Sequence, residues 1–206
     1  MTKGQSNGLR LILFDFGGVI ASEGFQFGIL KLALEFGRSY SEMTEIVSRK
    51  ASYESGYSAG KCGEKEFWKI IAKELNIRRD LSRFRHFILD NFVPRKEVIA
   101  AVKRLRGKYR LGIFSDQTNW IHELDGIYGF FRYFDHLFIS CDRGMTKHDG
   151  RFYELPPGET GYKTSEILLI DDKSRVLETA RRKGYKTYLF ESVENFVHLS
   201  NNLLKK

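Results

Sequence analysis

The chain has 206 residues, 42% of them hydrophobic, with 17 Phe, 10 Tyr and a formal charge of +8. That length and aromatic content support a buried core, compatible with one domain carrying a sizeable insertion, and exclude intrinsic disorder. No apolar run reaches the roughly 18 to 20 residues of a membrane span, because Asp15 interrupts the longest candidate.

The segment from Met1 to Arg10 is polar and lacks an apolar h-region, so no secretory signal is read there and a cytoplasmic location is expected. The first strand is predicted over about residues 10 to 15, where Leu11, Ile12, Leu13 and Phe14 run directly into Asp15 and then Gly17-Gly18. About seventy residues of helical pattern follow. Phe25 to Phe36 is apolar at helical spacing, and Ser39 with Glu42 resembles a capping box that opens a second helix through Val47. Gly56, Gly60 and Gly63 punctuate the chain before a stripe of Phe67, Trp68, Ile71, Ala72 and Leu75, and a further helix carries Leu81, Phe84, Phe87 and Ile88. The aromatic stripes of this block read as its own core rather than as a cofactor box.

From Pro94 onward helix and strand alternate. Pro94 is expected to start a helix that Gly107 ends in a left-handed cap. Strands are predicted at Arg110 to Ser115, Leu137 to Ser140, Ile167 to Ile170 and Lys186 to Phe190, with helices near Trp120 to Leu124 and Arg175 to Lys183. Strands separated by helical crossovers specify an α/β fold: a doubly wound, Rossmann-like parallel sheet with an inserted all-helical cap. The expected division is 1–20 and 94–206 for the core and 21–93 for the cap.

Cys62 and Cys141 match no zinc spacing and are expected to be free thiols. The basic clusters Arg78-Arg79, Arg104 to Arg110 and Arg181 to Lys186 fall at the ends of helical patterns, where cations complement the helix dipole. Neither a nucleic acid nor a membrane partner is expected, and nothing in the pattern specifies an oligomeric state.

In an open parallel sheet the carboxyl ends of the strands converge on one crevice. Four of them carry chemistry: Asp15, Ser115 with Asp116 beside it, Lys147 shortly after the third strand, and Asp171-Asp172. An acid, a hydroxyl, an ammonium and an acid pair form a set suited to Mg²⁺ and a phosphate, and Gly17 and Gly18 let backbone approach a ligand closely. Taken singly these residues are a turn serine, a solvated lysine, an N-cap pair and a tight turn; their ordered recurrence at strand ends carries the signal.

That order resembles the haloacid dehalogenase superfamily of hydrolases, in the branch with a helical cap after the first motif. Asp15-Phe16-Gly17-Gly18-Val19 is similar to its first motif, Ser115 to its second, Lys147 to its third and Asp171-Asp172 to its fourth. Gly56 to Phe67 and Tyr133-Phe134-Asp135 resemble supporting segments of the same branch, so the likeness spans Leu11 to Phe190. The resemblance implies Asp15 as nucleophile, Lys147 as catalytic cation, and Ser115, Asp116, Gly18 and Lys147 as phosphate-binding groups. It further implies Mg²⁺ held by Asp15, the Gly17 carbonyl, Asp172 and Asp171, the last directly, through water or as an orienter. The chemistry agrees, because a carboxylate attacking an anionic phosphoryl group is repelled unless a cation bridges the two.

Three positions depart from the pattern. Gly17 stands where phosphatases of the family carry a second Asp as general acid, a loss worth roughly 10² to 10⁴ in rate when the leaving group is poor. Glu23, Asp116 and residues of the helical cap are candidate substitutes, and His148 could also act as an acid, although a surface or packing role is the preferred reading for it. His148 follows the motif lysine where Pro is common, Pro156, Pro157 and Gly158 are expected to cut short the next helix, and Val176 takes a place that often holds Asp or Asn. The expected function is a Mg²⁺-dependent phosphatase acting on a small phosphorylated metabolite. The alternatives are a phosphate-binding protein without turnover and, less favoured, a 2-haloacid dehalogenase.

Overall fold

The computed structural model describes residues 8–205. In chain order the elements are β1 (Leu11–Phe14), α1 (Gly24–Phe36), α2 (Tyr40–Thr44), α3 (Glu64–Glu74), α4 (His86–Leu89), α5 (Lys96–Leu105), β2 (Arg110–Ser115), α6 (Trp120–Tyr128), β3 (His136–Ile139), α7 (Ser140–Arg143), α8 (Leu155–Thr160), β4 (Ile167–Asp171), α9 (Ser174–Arg182), β5 (Lys186–Leu189) and α10 (Val193–Lys205).

The five strands form one parallel sheet in the order β3-β2-β1-β4-β5. Its centre is β1, whose four residues are all fully buried, as a strand covered on both faces requires. Alternate residues of β1 serve different faces: Ile12 and Phe14 join one apolar cluster with Val98 of α5 and Phe196 of α10, whereas Leu11 and Leu13 join another with Leu177 of α9 and Phe152. The outer strand β5 is less buried along its length, consistent with its Lys-Thr-Tyr-Leu sequence at an edge. The chain winds outward from β1 through β2 to β3, then returns to the other side of β1 for β4, so the sheet reverses direction beside β1. Ligands of such folds bind at that reversal, outside the carboxyl ends.

Between β1 and β2 lie α1 to α4. Gly28 of α1 lets the backbone of α4 come close: a Cβ there would stand 2.7 Å from Ile88 Cα. The helical segment joins the sheet through two side-by-side passages, with Ala21 bridged to Pro94, Arg95 N–H donating to Ile20 O at 2.8 Å and Ser22 N–H to Val93 O at 3.0 Å. Its aromatic stripe extends beyond the segment itself. Tyr57, Phe67 and Trp68 pack on Trp120 of α6 at centroid distances of 5.6, 5.5 and 6.3 Å, and Glu64 accepts from both indoles, Trp68 Nε1 at 2.9 Å and Trp120 Nε1 at 2.8 Å.

Several sequence expectations need correction. Pro94 does not start α5; it occupies the bridge to Ala21, and Arg95 is the cap residue. Gly107 is not left-handed, and α5 ends at Leu105 with Arg106 still right-handed. Pro156 and Pro157 open α8 rather than ending a helix, because the N–H groups they lack have no intrahelical partner in a first turn. Ser39 does cap α2, accepting from Glu42 N–H at 3.1 Å, but the helical path continues through a wide π-type turn from Glu45 to Glu54. The third strand runs one residue earlier than expected, so Ser140 starts α7. Cys62 and Cys141 are free thiols, and among the described residues no helix is long and apolar enough to cross a membrane.

Candidate active site

The strand ends bring Asp15, Ser115, Lys147 and Asp171 together at the centre of the sheet, as their places in the sequence predict. Asp15 follows β1, and its N–H donates to Ile170 O of β4 at 2.9 Å, which extends the sheet by one residue. Its Oδ1 accepts from Phe16 N–H at 2.8 Å, from Ser115 Oγ at 2.5 Å and lies 3.0 Å from Lys147 Nζ. Its Oδ2 makes no hydrogen bond among the described residues, and Asp15 lines a cavity of about 590 Å³ between the strand ends and the helical segment.

Lys147 ties the site together. Besides Asp15 it reaches Asp171 Oδ2 at 2.7 Å, and its backbone N–H donates to Asp116 Oδ1 at 2.8 Å. Burial disfavours its ammonium, but Asp15, Asp171 and Asp116 outweigh that and hold its pKa above the usual lysine range. Burial likewise works against ionised Asp15, yet Lys147, Lys173 and the Ser115 hydroxyl together hold that carboxyl below the ordinary range. Asp171 moves the other way, pushed up by burial and by the Asp15 charge despite its contact with Lys147.

The acid pair is asymmetric. Asp171 is fully buried and engages both oxygens, Oδ2 with Lys147 and Oδ1 with Lys173 N–H at 2.8 Å. Asp172 keeps Oδ1 buried without a hydrogen bond among the described residues, and burial with the nearby Asp15 charge pushes its carboxyl up to about 6. Asp15, Asp171 and Asp172 each present an oxygen within 4.8 Å of the others. Three converging carboxylates, one with an orphaned buried oxygen, fit a hard divalent cation with oxygen ligands. The adjoining loop leaves no room for a side chain at Gly18, where φ is +85° and a Cβ would sit 2.4 Å from Asp172 Oδ2. Gly17 is less constrained, having ordinary φ and no atom nearer than 3.4 Å to an added Cβ.

Other site residues fall nearby with different duties. Asp116 is engaged on both oxygens, Oδ1 with Lys147 N–H and Oδ2 with the Tyr53 hydroxyl at 3.3 Å. His148 is exposed and packs edge-on against Tyr53 at 5.0 Å. Val176 lines the cavity and packs with the apolar cluster on the α9 side of the sheet. Two neighbours escape a sequence reading. Lys173 pairs with Glu23 at 3.1 Å, and its adjacency to the acid pair was the available signal. Tyr53 had no such signal, because the π-type turn that aims it at Asp116 has no simple periodicity.

A family model described as haloacid dehalogenase-like hydrolase matches residues 9–184. Three solved structures share the fold. A HAD-like family hydrolase from Porphyromonas gingivalis has a TM-score of 0.79 at 22% identity, covering 96% of this chain and 98% of that one. A HAD family enzyme from Bacteroides thetaiotaomicron, in complex with magnesium and inorganic phosphate, has a TM-score of 0.75 at 18% identity, covering 93% and 99%. An L-2-haloacid dehalogenase from Xanthobacter autotrophicus with chloropropionic acid covalently bound has a TM-score of 0.60 at 17% identity, covering 87% and 76%.

Proposed function

This chain belongs to the haloacid dehalogenase-like hydrolases, and from that premise we propose that it is a Mg²⁺-dependent phosphatase of a small phosphorylated metabolite. The observation that carries the reading is the division of labour on Asp15: Oδ1 is held by three donors, while among the described residues Oδ2 makes no hydrogen bond and belongs to a residue of the cavity wall. A fixed carboxylate with one unengaged oxygen is a prepared nucleophile.

In this reading Asp15 Oδ2 bonds to phosphorus as the bond to the leaving oxygen breaks, and water then cleaves the aspartyl ester to free phosphate. Ser115 and Lys147 hold the attacking carboxylate in line, and the remaining N–H of the Lys147 ammonium donates to a phosphoryl oxygen as charge gathers there. Asp171 orients Lys147 and the loop that follows β4. Asp15, Asp172 and the Gly17 carbonyl, supported by Asp171, would hold Mg²⁺, which would supply the charge neutralisation that lets a carboxylate meet an anionic phosphoryl group. The segment 21–93, joined through two hydrogen-bonded passages, acts as the cap over a core of 1–20 and 94–206 and excludes water from the cavity.

The bare Gly17 favours a second reading, in which the site binds phosphate with Mg²⁺ but does not turn it over. The orphaned oxygen of Asp172 counts against halide displacement, since attack on a neutral carbon–halogen bond needs no cation. Phosphate release from a panel of phosphometabolites, with and without Mg²⁺, separates these readings. The phosphatase gives turnover that Asp15→Asn abolishes. Equal activity in both proteins removes Asp15 from the chemistry, a melting-temperature rise with beryllium fluoride and no turnover supports the binding protein, and chloride release from 2-haloacids supports the dehalogenase.

A further inference from the structure

The space beside Gly17 already contains a carboxylate. A Cβ built there meets Phe92 Cε1 at 3.4 Å, Gln117 Nε2 at 3.6 Å and Glu23 Oε2 at 3.7 Å. An acid rooted at position 17 would therefore reach into the region that Glu23 fills from the start of α1, six residues further along the chain. Glu23 lines the same cavity as Asp15 and Lys147, its side chain is only 19% exposed, and its buried Oε1 makes an ion pair with Lys173 Nζ at 3.1 Å but no hydrogen bond among the described residues. The rival acid, Asp116, has both oxygens engaged by Lys147 N–H and the Tyr53 hydroxyl. His148 is an exposed residue of the cavity rim, set against Tyr53.

We infer that Glu23 is the proton-transfer residue of this site, supplying from the first helix the carboxylate that position 17 lacks. The inference rests on the phosphatase reading. In the second half-reaction a water oxygen bonds to phosphorus as the bond from phosphorus to Asp15 Oδ2 breaks. The water proton passes to the Glu23 carboxylate, inorganic phosphate leaves, the Asp15 carboxylate is restored, and Glu23 returns its proton to solvent. In the first half-reaction the same group, once protonated, can give that proton to a poor leaving oxygen.

The test uses p-nitrophenyl phosphate with Mg²⁺, because p-nitrophenolate departs without a proton and the first step is spared. Wild type, Glu23→Gln, Glu23→Ala and the double variant Gly17→Asp with Glu23→Ala, in which the truncation at position 23 vacates the space beside position 17, are compared for burst, steady-state rate and phosphoenzyme detected by intact mass. The expected result for Glu23→Gln and for Glu23→Ala is a burst near one equivalent, accumulated phosphoenzyme and a steady-state rate lower by about 10² to 10⁴. Adding Gly17→Asp to Glu23→Ala, which the ordinary backbone there accepts, returns a carboxylate to the same space and restores dephosphorylation. A Glu23→Gln protein that turns over like wild type overturns the inference and leaves the phosphatase reading intact. So does one that loses burst and turnover together, accumulates no ester and is not rescued. A wild type that neither labels nor turns over overturns both.

Discussion

Asp171 and Asp172 are neighbours in sequence and opposites in satisfaction: the first engages both carboxylate oxygens with Lys147 and Lys173, the second keeps Oδ1 buried with no hydrogen bond among the described residues. The difference follows from their places at the end of β4. Asp171 is the last residue of the strand and points into the lysine, whereas Asp172 begins the loop that passes Gly18. In the proposed reading the first orients and the second receives a cation.

Substituting the two acids should move stability in opposite directions at neutral pH without metal. Asp171→Asn removes the partner of Lys147 and is expected to destabilise by about 1 to 3 kcal/mol. Asp172→Asn removes a carboxyl whose pKa is raised to about 6 in the folded chain, against about 4 when unfolded. The folded state therefore binds the extra proton, so this contribution to stability is full below about pH 4 and is lost as pH rises through about 6. After discounting for partial exposure it amounts to about 1 kcal/mol, or roughly 2 to 4 °C in melting temperature. Thermal melts from pH 4.5 to 7.5 in chelator should show wild type losing this increment and Asp172→Asn keeping it. Mg²⁺ should restore it to wild type at pH 7.5 and do little at pH 4.5. A pH profile identical in both proteins would show that Asp172 is not the titrating group.

Lys147→Met tests the buried cation. It leaves Asp15 and Asp171 without their shared ammonium while keeping the backbone N–H that serves Asp116, and breaking a buried ion pair from one side typically costs about 3 to 5 kcal/mol. Urea unfolding in chelator should read that loss. Millimolar Mg²⁺ should recover part of it by neutralising the same carboxylates, while any phosphatase activity stays absent. Loss of less than about 1 kcal/mol would mean that the carboxylates relax into solvent without Lys147.

Glu64→Ala tests the joint between the helical segment and the sheet. One carboxylate accepts from the indoles of Trp68 and Trp120 and pairs with Arg85 at 3.0 Å. Its removal orphans two indole N–H groups and is expected to destabilise by about 2 to 4 kcal/mol. Unlike the changes above, this cost should not respond to Mg²⁺, since Glu64 lies away from the acid cluster. Chemical denaturation with and without Mg²⁺ reads both quantities, and a metal-dependent cost would place Glu64 in communication with the site.

The apolar runs Leu11 to Phe14 and Ile167 to Ile170, each ending in an acid, determined the strands, their parallel pairing and the convergence of Asp15, Ser115, Lys147 and Asp171. These are local signals: four consecutive buried residues can only be a strand covered on both faces here, and a polar residue placed next must emerge at the sheet edge. What lay beyond the sequence is set by contacts between distant segments. Which member of the acid pair is satisfied depends on where Lys147 and the Lys173 N–H arrive after the chain has folded. That Glu23 fills the space beside Gly17, that Tyr53 reaches Asp116 across a π-type turn, and that Trp120 belongs to the same aromatic cluster as Trp68 are equally decided by packing. Periodicity tells which residues seek the interior, but the partner each one finds is chosen only when the helical segment closes against the sheet, and that choice is a property of three-dimensional fit.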